Sequence, residues 1–123
     1  MTEKIVPPAG ADFIGITSYK MSPDRPNCFV STWYSTRLGE PKKLSSGIAL
    51  GDTSNGFAGD FKIRYYEPSG DPLKDPRPYD LSIIRNGDVM DMRWSREGAV
   101  NLVGIGIELG DQLIASYWRP LPH

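Results

Sequence analysis

Few side chains in this 123-residue sequence can do chemistry: one histidine, one cysteine, six tyrosines, three tryptophans and scattered carboxylates. His123 ends the sequence after Pro122, a position that favours a frayed end over a base or a metal ligand. With no second histidine or cysteine, a zinc or iron site is not expected, and neither is any other cofactor. Cys28 lacks a sequence neighbour that would activate its side chain, so it reads as a small, partly buried thiol. Asp91 and Arg93 stand two apart on one strand face, and Glu108 would join them in a polar network if the adjacent strand pairs in the glycine-in-register sense. Such networks are usually surface pairs worth under about 1 kcal/mol. That leaves the phenols. Tyrosines can donate hydrogen bonds to a carbonyl or enolate oxygen, as proton-shuffling enzymes require, although nothing in their spacing demands it.

The elements that must position these groups are strands. Thirteen glycines and eleven prolines interrupt any helical pattern, and β-branched and aromatic residues fall in short runs between them. The spacing predicts strands over 13–20, 27–34, 44–50, 59–67, 79–85, 88–95, 102–109 and 112–119. Asn86-Gly87 suits a type I′ hairpin, and Gly110-Asp111 a similar two-residue turn. Consecutive antiparallel strands close most economically into an up-and-down barrel, which leaves no exposed edge. We therefore expect an all-β fold, an eight-stranded antiparallel up-and-down barrel over 11–123 behind a loose tail at 1–10, with a two-sheet sandwich as the alternative.

An internal echo supports a duplicated barrel. Gly47-Ile48-Ala49-Leu50-Gly51-Asp52 returns as Gly106-Ile107-Glu108-Leu109-Gly110-Asp111, after Trp33 in one case and Trp94 in the other. Asp12-Phe13 against Asp60-Phe61 is a second echo, and together they suggest related halves at 11–58 and 59–118. The hexapeptide glycines read as hairpin glycines and not as a phosphate cradle, because no helix follows them. Alternation places Phe61, Ile63, Tyr65, Met90, Met92 and Trp94 inside, with Lys62, Arg64, Asp91 and Arg93 outside. Over 102–109 the pattern leaves two options. Either Gly104 and Gly106 point inward beside an indole, or they point outward and let another backbone approach.

Charge narrows the partners. Fourteen basic and fifteen acidic residues give a formal charge of −1, so no long-range field recruits nucleic acid or an anionic membrane. No apolar run approaches the roughly 20 residues that span a bilayer as a helix. The first residues lack the apolar core of a signal peptide, and the expected location is cytoplasmic.

In an up-and-down barrel the connections alternate between two ends. One end receives the links near 21–26, 51–58, 86–87 and 110–111, two of which are minimal hairpins; the other receives links at 35–43, 68–78 and 96–101, all longer than those hairpins. Binding groups favour long loops and barrel mouths, so the second end is the expected opening. The aromatics gather there, with Trp33, Tyr34, Tyr65, Tyr66, Trp94, Tyr117 and Trp118 finishing strands and Tyr79 beginning one. These rings either wall a pocket or plug the barrel. The proline-stiffened segment 68–78 reads as a lid or as an inert excursion.

The stretch 59–118, with Tyr65, Gly70, Gly87-Asp88, Trp94, Gly104, Gly106, Gly110 and Leu113, resembles small bacterial barrel proteins of the calycin type, the group that includes avidins and lipocalins. Some bacterial proteins of similar pattern carry a "fibronectin-binding" label. The first half shares the likeness only through Trp33 and the first hexapeptide. The resemblance implies an eight-stranded meander around a cavity for a small, mostly apolar ligand. No biotin-binding signature and no secretory signal accompany it, so neither biotin nor a matrix role is inferred, and no ligand residue carries over.

The leading expectation is binding of a small apolar or aromatic molecule, with Trp33, Tyr65, Trp94 and Trp118 as stacking walls and Tyr34 or Tyr79 as polar handles. The alternatives are a cofactor-independent cyclase or isomerase that uses the barrel as a shaped container, and a non-catalytic homo-oligomeric interaction module.

Overall fold

The computed structural model describes residues 12–38 and 42–120. The expected tail at 1–10 and His123 lie outside them. The described residues form eight strands, β1 (Gly15–Met21), β2 (Cys28–Ser35), β3 (Ser45–Leu50), β4 (Gly59–Tyr66), β5 (Tyr79–Asn86), β6 (Val89–Arg96), β7 (Ala99–Leu109) and β8 (Gln112–Trp118), and no helix. Each strand pairs antiparallel with its successor, and β1 pairs with β8 to close the barrel. The sandwich is thereby excluded.

Alternation holds where each strand has one apolar and one charged face. Phe61, Ile63, Met90, Met92 and Trp94 are buried, while Lys62, Arg64 and Arg93 are exposed. In β7 the glycines turn inward. A Cβ on Gly104 would lie 2.5 Å from the Ser116 carbonyl oxygen and 3.1 Å from the Trp94 ring, and one on Gly106 would lie 2.8 Å from Leu113. The volume given up by glycine is thus taken by neighbouring side chains. In consequence the aliphatic residues of β7 face out, leaving Ile105, Ile107 and Leu109 exposed at 49%, 44% and 55%.

The turns differ from expectation in two places. The β5–β6 turn is Gly87-Asp88, because Asn86 pairs with Val89. Only Gly87 of that pair has a positive φ, which is the requirement of type II′ and not of type I′. The expected longer link over 96–101 is instead a two-residue hairpin. Arg96 pairs with Ala99, and Glu97 and Gly98 both take positive φ, at 52° and 80°, as a type I′ turn needs. A bulge at Trp94/Ser95 absorbs the remaining residue of β7.

The repeat also needs redrawing. Division at 58/59 puts three strands in one half and five in the other, whereas the hexapeptides occupy β3 and β7 and so relate β1–β4 to β5–β8. Under that relation Asp60-Phe61 lies in β4 and Asp12-Phe13 precedes β1, so the second echo joins non-equivalent positions. Of the hexapeptide glycines only Gly110 is a turn residue, at φ 61°. Gly47 and Gly51 give room to the rings of Tyr65 and Phe61, which a Cβ would approach to 2.8 and 2.6 Å.

Candidate functional site

The two ends of the barrel are filled differently. At the β1–β2 and β3–β4 end, Phe29 packs edge-on against Phe61, Phe57 and Tyr19 with ring centroids 4.7, 5.4 and 5.2 Å apart. Edge-to-face packing of this kind closes that end. The opposite end, where β2–β3 and β4–β5 carry the long links, contains a cavity of about 50 Å³. Trp33, Tyr65, Tyr79, Trp94 and Tyr117 wall it, with Thr17, Arg37, Leu73 and Leu102 completing the lining.

The polar tips of these rings mostly bond protein atoms. Trp94 Nε1 donates to Tyr65 Oη at 2.6 Å, Tyr65 Oη lies 3.1 Å from Tyr19 Oη, Trp33 Nε1 donates to the Ser46 carbonyl at 2.7 Å, and Tyr117 Oη donates to the Tyr34 carbonyl at 3.3 Å. A buried indole or phenol needs such a partner. Once the tips are engaged, ring faces and edges are what the cavity presents.

Burial also fixes the protonation of the phenols. It pushes Tyr19 up to about 12, against the opposing effect of its hydrogen bond to Tyr65. Tyr65 is raised well above its ordinary value by burial and by the neighbouring Tyr19, and Tyr117 is raised by burial. Near neutral pH these groups are protonated and none acts as a base. A phenol raised in the folded state is ionised first in the unfolded chain. The native protein then holds more protons, and stability falls as pH rises. We expect full stability below pH 10, loss of it toward about 12 as Tyr19 titrates, and slow, unfolding-limited appearance of tyrosinate absorbance for the buried phenols. Immediate ionisation of every tyrosine at pH 11 in a still-folded protein would contradict this burial.

A loop covers the cavity. The β4–β5 link turns at Gly70, φ 93°, pairs Pro72 with Tyr66, and places Leu73 in the cavity wall. Its far side is pinned from without. Asp75 accepts from Arg96 Nη1 at 3.1 Å, Arg77 reaches Glu97 of the β6–β7 turn at 3.0 Å, and Arg64 donates to the Pro76 carbonyl at 3.0 Å, while within the link Asp75 also accepts from Arg77 Nη2 at 2.7 Å. The Arg96 guanidinium lies 3.8 Å above the centre of the Tyr79 ring, a cation–π contact. Hydrogen bonds from Arg77 hold the Asp75 carboxyl well below the usual carboxylate range, so the pin stays charged in mild acid.

Of the six residues expected to bind, Trp33, Tyr65, Tyr79 and Trp94 converge on the cavity. Tyr34 and Trp118 do not. Trp33 and Tyr117 point in, and side chains alternate along a strand, so their neighbours Tyr34 and Trp118 point out. Tyr34 lies instead in a shallow outer patch with Ile16, Leu44 and Ile114. The expected Asp91, Arg93 and Glu108 network is also absent. Asp91 accepts from Asn86 at 3.0 Å, and Glu108 accepts from Arg85 at 2.7 Å. Asp91 shares the outer face with Arg93, whereas Glu108 stands in the inward row with Gly104 and Gly106, at its exposed end.

Sequence reasoning omitted Tyr117, Arg37 and Leu73 from the site. The apolar row Leu113, Ala115 and Tyr117 carried a period-two signal for the first, but Arg37 and Leu73 sit on links without periodicity. Among the described residues, no group of three or more His, Cys, Asp or Glu is placed to hold a metal ion, and no helix is long and apolar enough to cross a membrane. The sequence matches no protein-family model, and no significant similarity links it to a curated protein or to a solved structure.

Proposed function

We propose that this barrel, of the calycin type, binds a small apolar or aromatic molecule at its ring-lined end. The observation that carries the reading is a well walled by five rings whose indole N–H groups, and the Tyr65 and Tyr117 hydroxyls, are spent on protein partners. Such a surface attracts a flat hydrocarbon face through burial and edge-to-face contact. At about 50 Å³ the well is far below the several hundred Å³ of a drug-sized pocket. An apolar cavity that holds one benzene ring measures roughly 150 Å³, so the loop bearing Leu73 must lift for any ring to enter. Lifting breaks few contacts, because among the described residues only two ion pairs tie the link to the barrel, and of these Arg77–Glu97 is solvent-exposed and contributes little. The near balance of basic and acidic residues favours a small molecule over nucleic acid as partner, and the lone, buried Cys28 suits a reducing, cytoplasmic compartment.

Titration with one-ring and two-ring aromatics is expected to quench or shift tryptophan fluorescence saturably. Asp75→Asn, which weakens the pin, should speed association and leave the final signal unchanged. A broad aromatic and lipid-like panel that leaves the emission untouched would remove the proposal. The exposed row of Ile105, Ile107 and Leu109 favours a second role, self-association through the outer face of β7. A strict monomer by light scattering at high concentration would count against it.

A further inference from the structure

We propose that the ligand is an aromatic monocarboxylate, its ring in the well and its carboxylate on the guanidinium of Arg37. The inference rests on the ring-binding reading above and adds the charge. Arg37 lines the well and also an adjoining open cleft, which Arg96 and Arg119 line as well. Three guanidiniums therefore surround the mouth. Arg119 is paired with Asp12 at 2.9 Å and Arg96 with Asp75 at 3.1 Å. Arg37 has no carboxylate partner among the described residues.

Arg37 is nonetheless held in place. Its guanidinium lies 3.8 Å from the centre of the Phe13 ring, and Phe13 in turn packs edge-on against Tyr117 at 6.2 Å. The cation is thus tied through one ring to the wall of the well. Its charge reaches that wall, where it partly offsets the burial that raises Tyr117. A planar guanidinium with unclaimed donors matches a carboxylate in a two-point contact. The wall of the cleft is short of acceptors in a second respect, since among the described residues the buried Nε of Arg96 has no hydrogen-bond partner. One guanidinium unpaired among the described residues calls for one negative charge. A dianion would leave part of its charge unmatched, and a neutral ring would leave Arg37 unused.

The test compares benzoate with benzyl alcohol, which share a ring and differ in charge, by tryptophan fluorescence or calorimetry on the full chain. Benzoate is expected to bind about tenfold or more tightly than the alcohol. Arg37→Gln should abolish that preference by weakening benzoate alone. On the unmodified protein, added salt should weaken benzoate and spare benzyl alcohol, a readout that does not depend on the variant folding. Equal affinity for the two compounds, or benzoate binding indifferent to both salt and Arg37→Gln, would overturn the carboxylate assignment and leave the ring-binding reading standing. Binding of neither compound would overturn the carboxylate assignment, and if every larger aromatic in the panel also failed to bind, the ring-binding reading would fall with it.

Discussion

Trp94→Ala is expected to destabilise the protein by about 3–5 kcal/mol, the range for truncating a large buried ring. Trp94 is 1% exposed, sits against the Tyr117 ring at 5.6 Å, and occupies the gap that Gly104 leaves. Three losses coincide in the variant: the apolar area, the dispersion contacts across β6 and β7, and the donor to Tyr65 Oη. Trp94→Phe separates them in part, because it keeps a six-membered ring but removes the N–H together with the rest of the indole; we expect about 1–3 kcal/mol for it. Urea unfolding is the measurement, with the midpoint shifted and the slope unchanged. If Trp94→Ala shifted stability by less than about 1 kcal/mol, the indole would not be packed as described. The same variant enlarges the well, so two-ring aromatics should bind it relatively better than the parent.

The second large effect comes from the opposite operation. Gly104→Val adds volume where a Cβ already lies 2.5 Å from the Ser116 carbonyl oxygen, so β7 and β8 must separate or the strand must twist. We expect a loss of roughly 3 kcal/mol, the upper end of the usual overpacking range. The better strand propensity of valine offsets only about 1 kcal/mol. Because the nearest obstacle is backbone, shrinking the neighbouring ring with Trp94→Phe should not rescue it. Gly15→Ala provides the contrast. There the obstacle is the Tyr117 ring, 2.1 Å from the added carbon, and Tyr117→Leu should recover a good part of the loss in a double-mutant cycle. Rescue of Gly104→Val by Trp94→Phe would show that side-chain crowding, and not the main chain, dictates glycine at this position.

The strands were legible because turn residues punctuate the sequence and because β4 and β6 set charge against apolar side chains residue by residue. Knowing the strand directions was enough to bring Trp33, Tyr65, Trp94 and Tyr79 to one end. Direction does not settle facing, however. Trp33-Tyr34 and Tyr117-Trp118 are adjacent aromatic pairs, and a period of two sends one member of each outward whatever its chemistry. Over 102–107 of β7 both rows are apolar or glycine, so only the neighbouring indole of Trp94 decides which faces in. Glu97-Gly98 escaped notice because glutamate is an unusual residue for a positive φ. Arg37 and Leu73 lie on connections, where no periodicity exists to read, and their roles come from what the loops are pinned against.

The ladder that joins β1 to β8 pairs Gly15 with Tyr117 and Lys20 with Gln112, residues of the first and the last strand. During synthesis a nascent chain can lay down hairpin after hairpin, yet the seam stays open until the eighth strand has left the ribosome. For that interval two raw edges, on β1 and β7, face the crowded cell with unmet backbone donors and acceptors. Chaperone dependence and a tendency to exchange terminal strands between chains should therefore belong to the newborn polypeptide, and disappear once the cylinder is sealed.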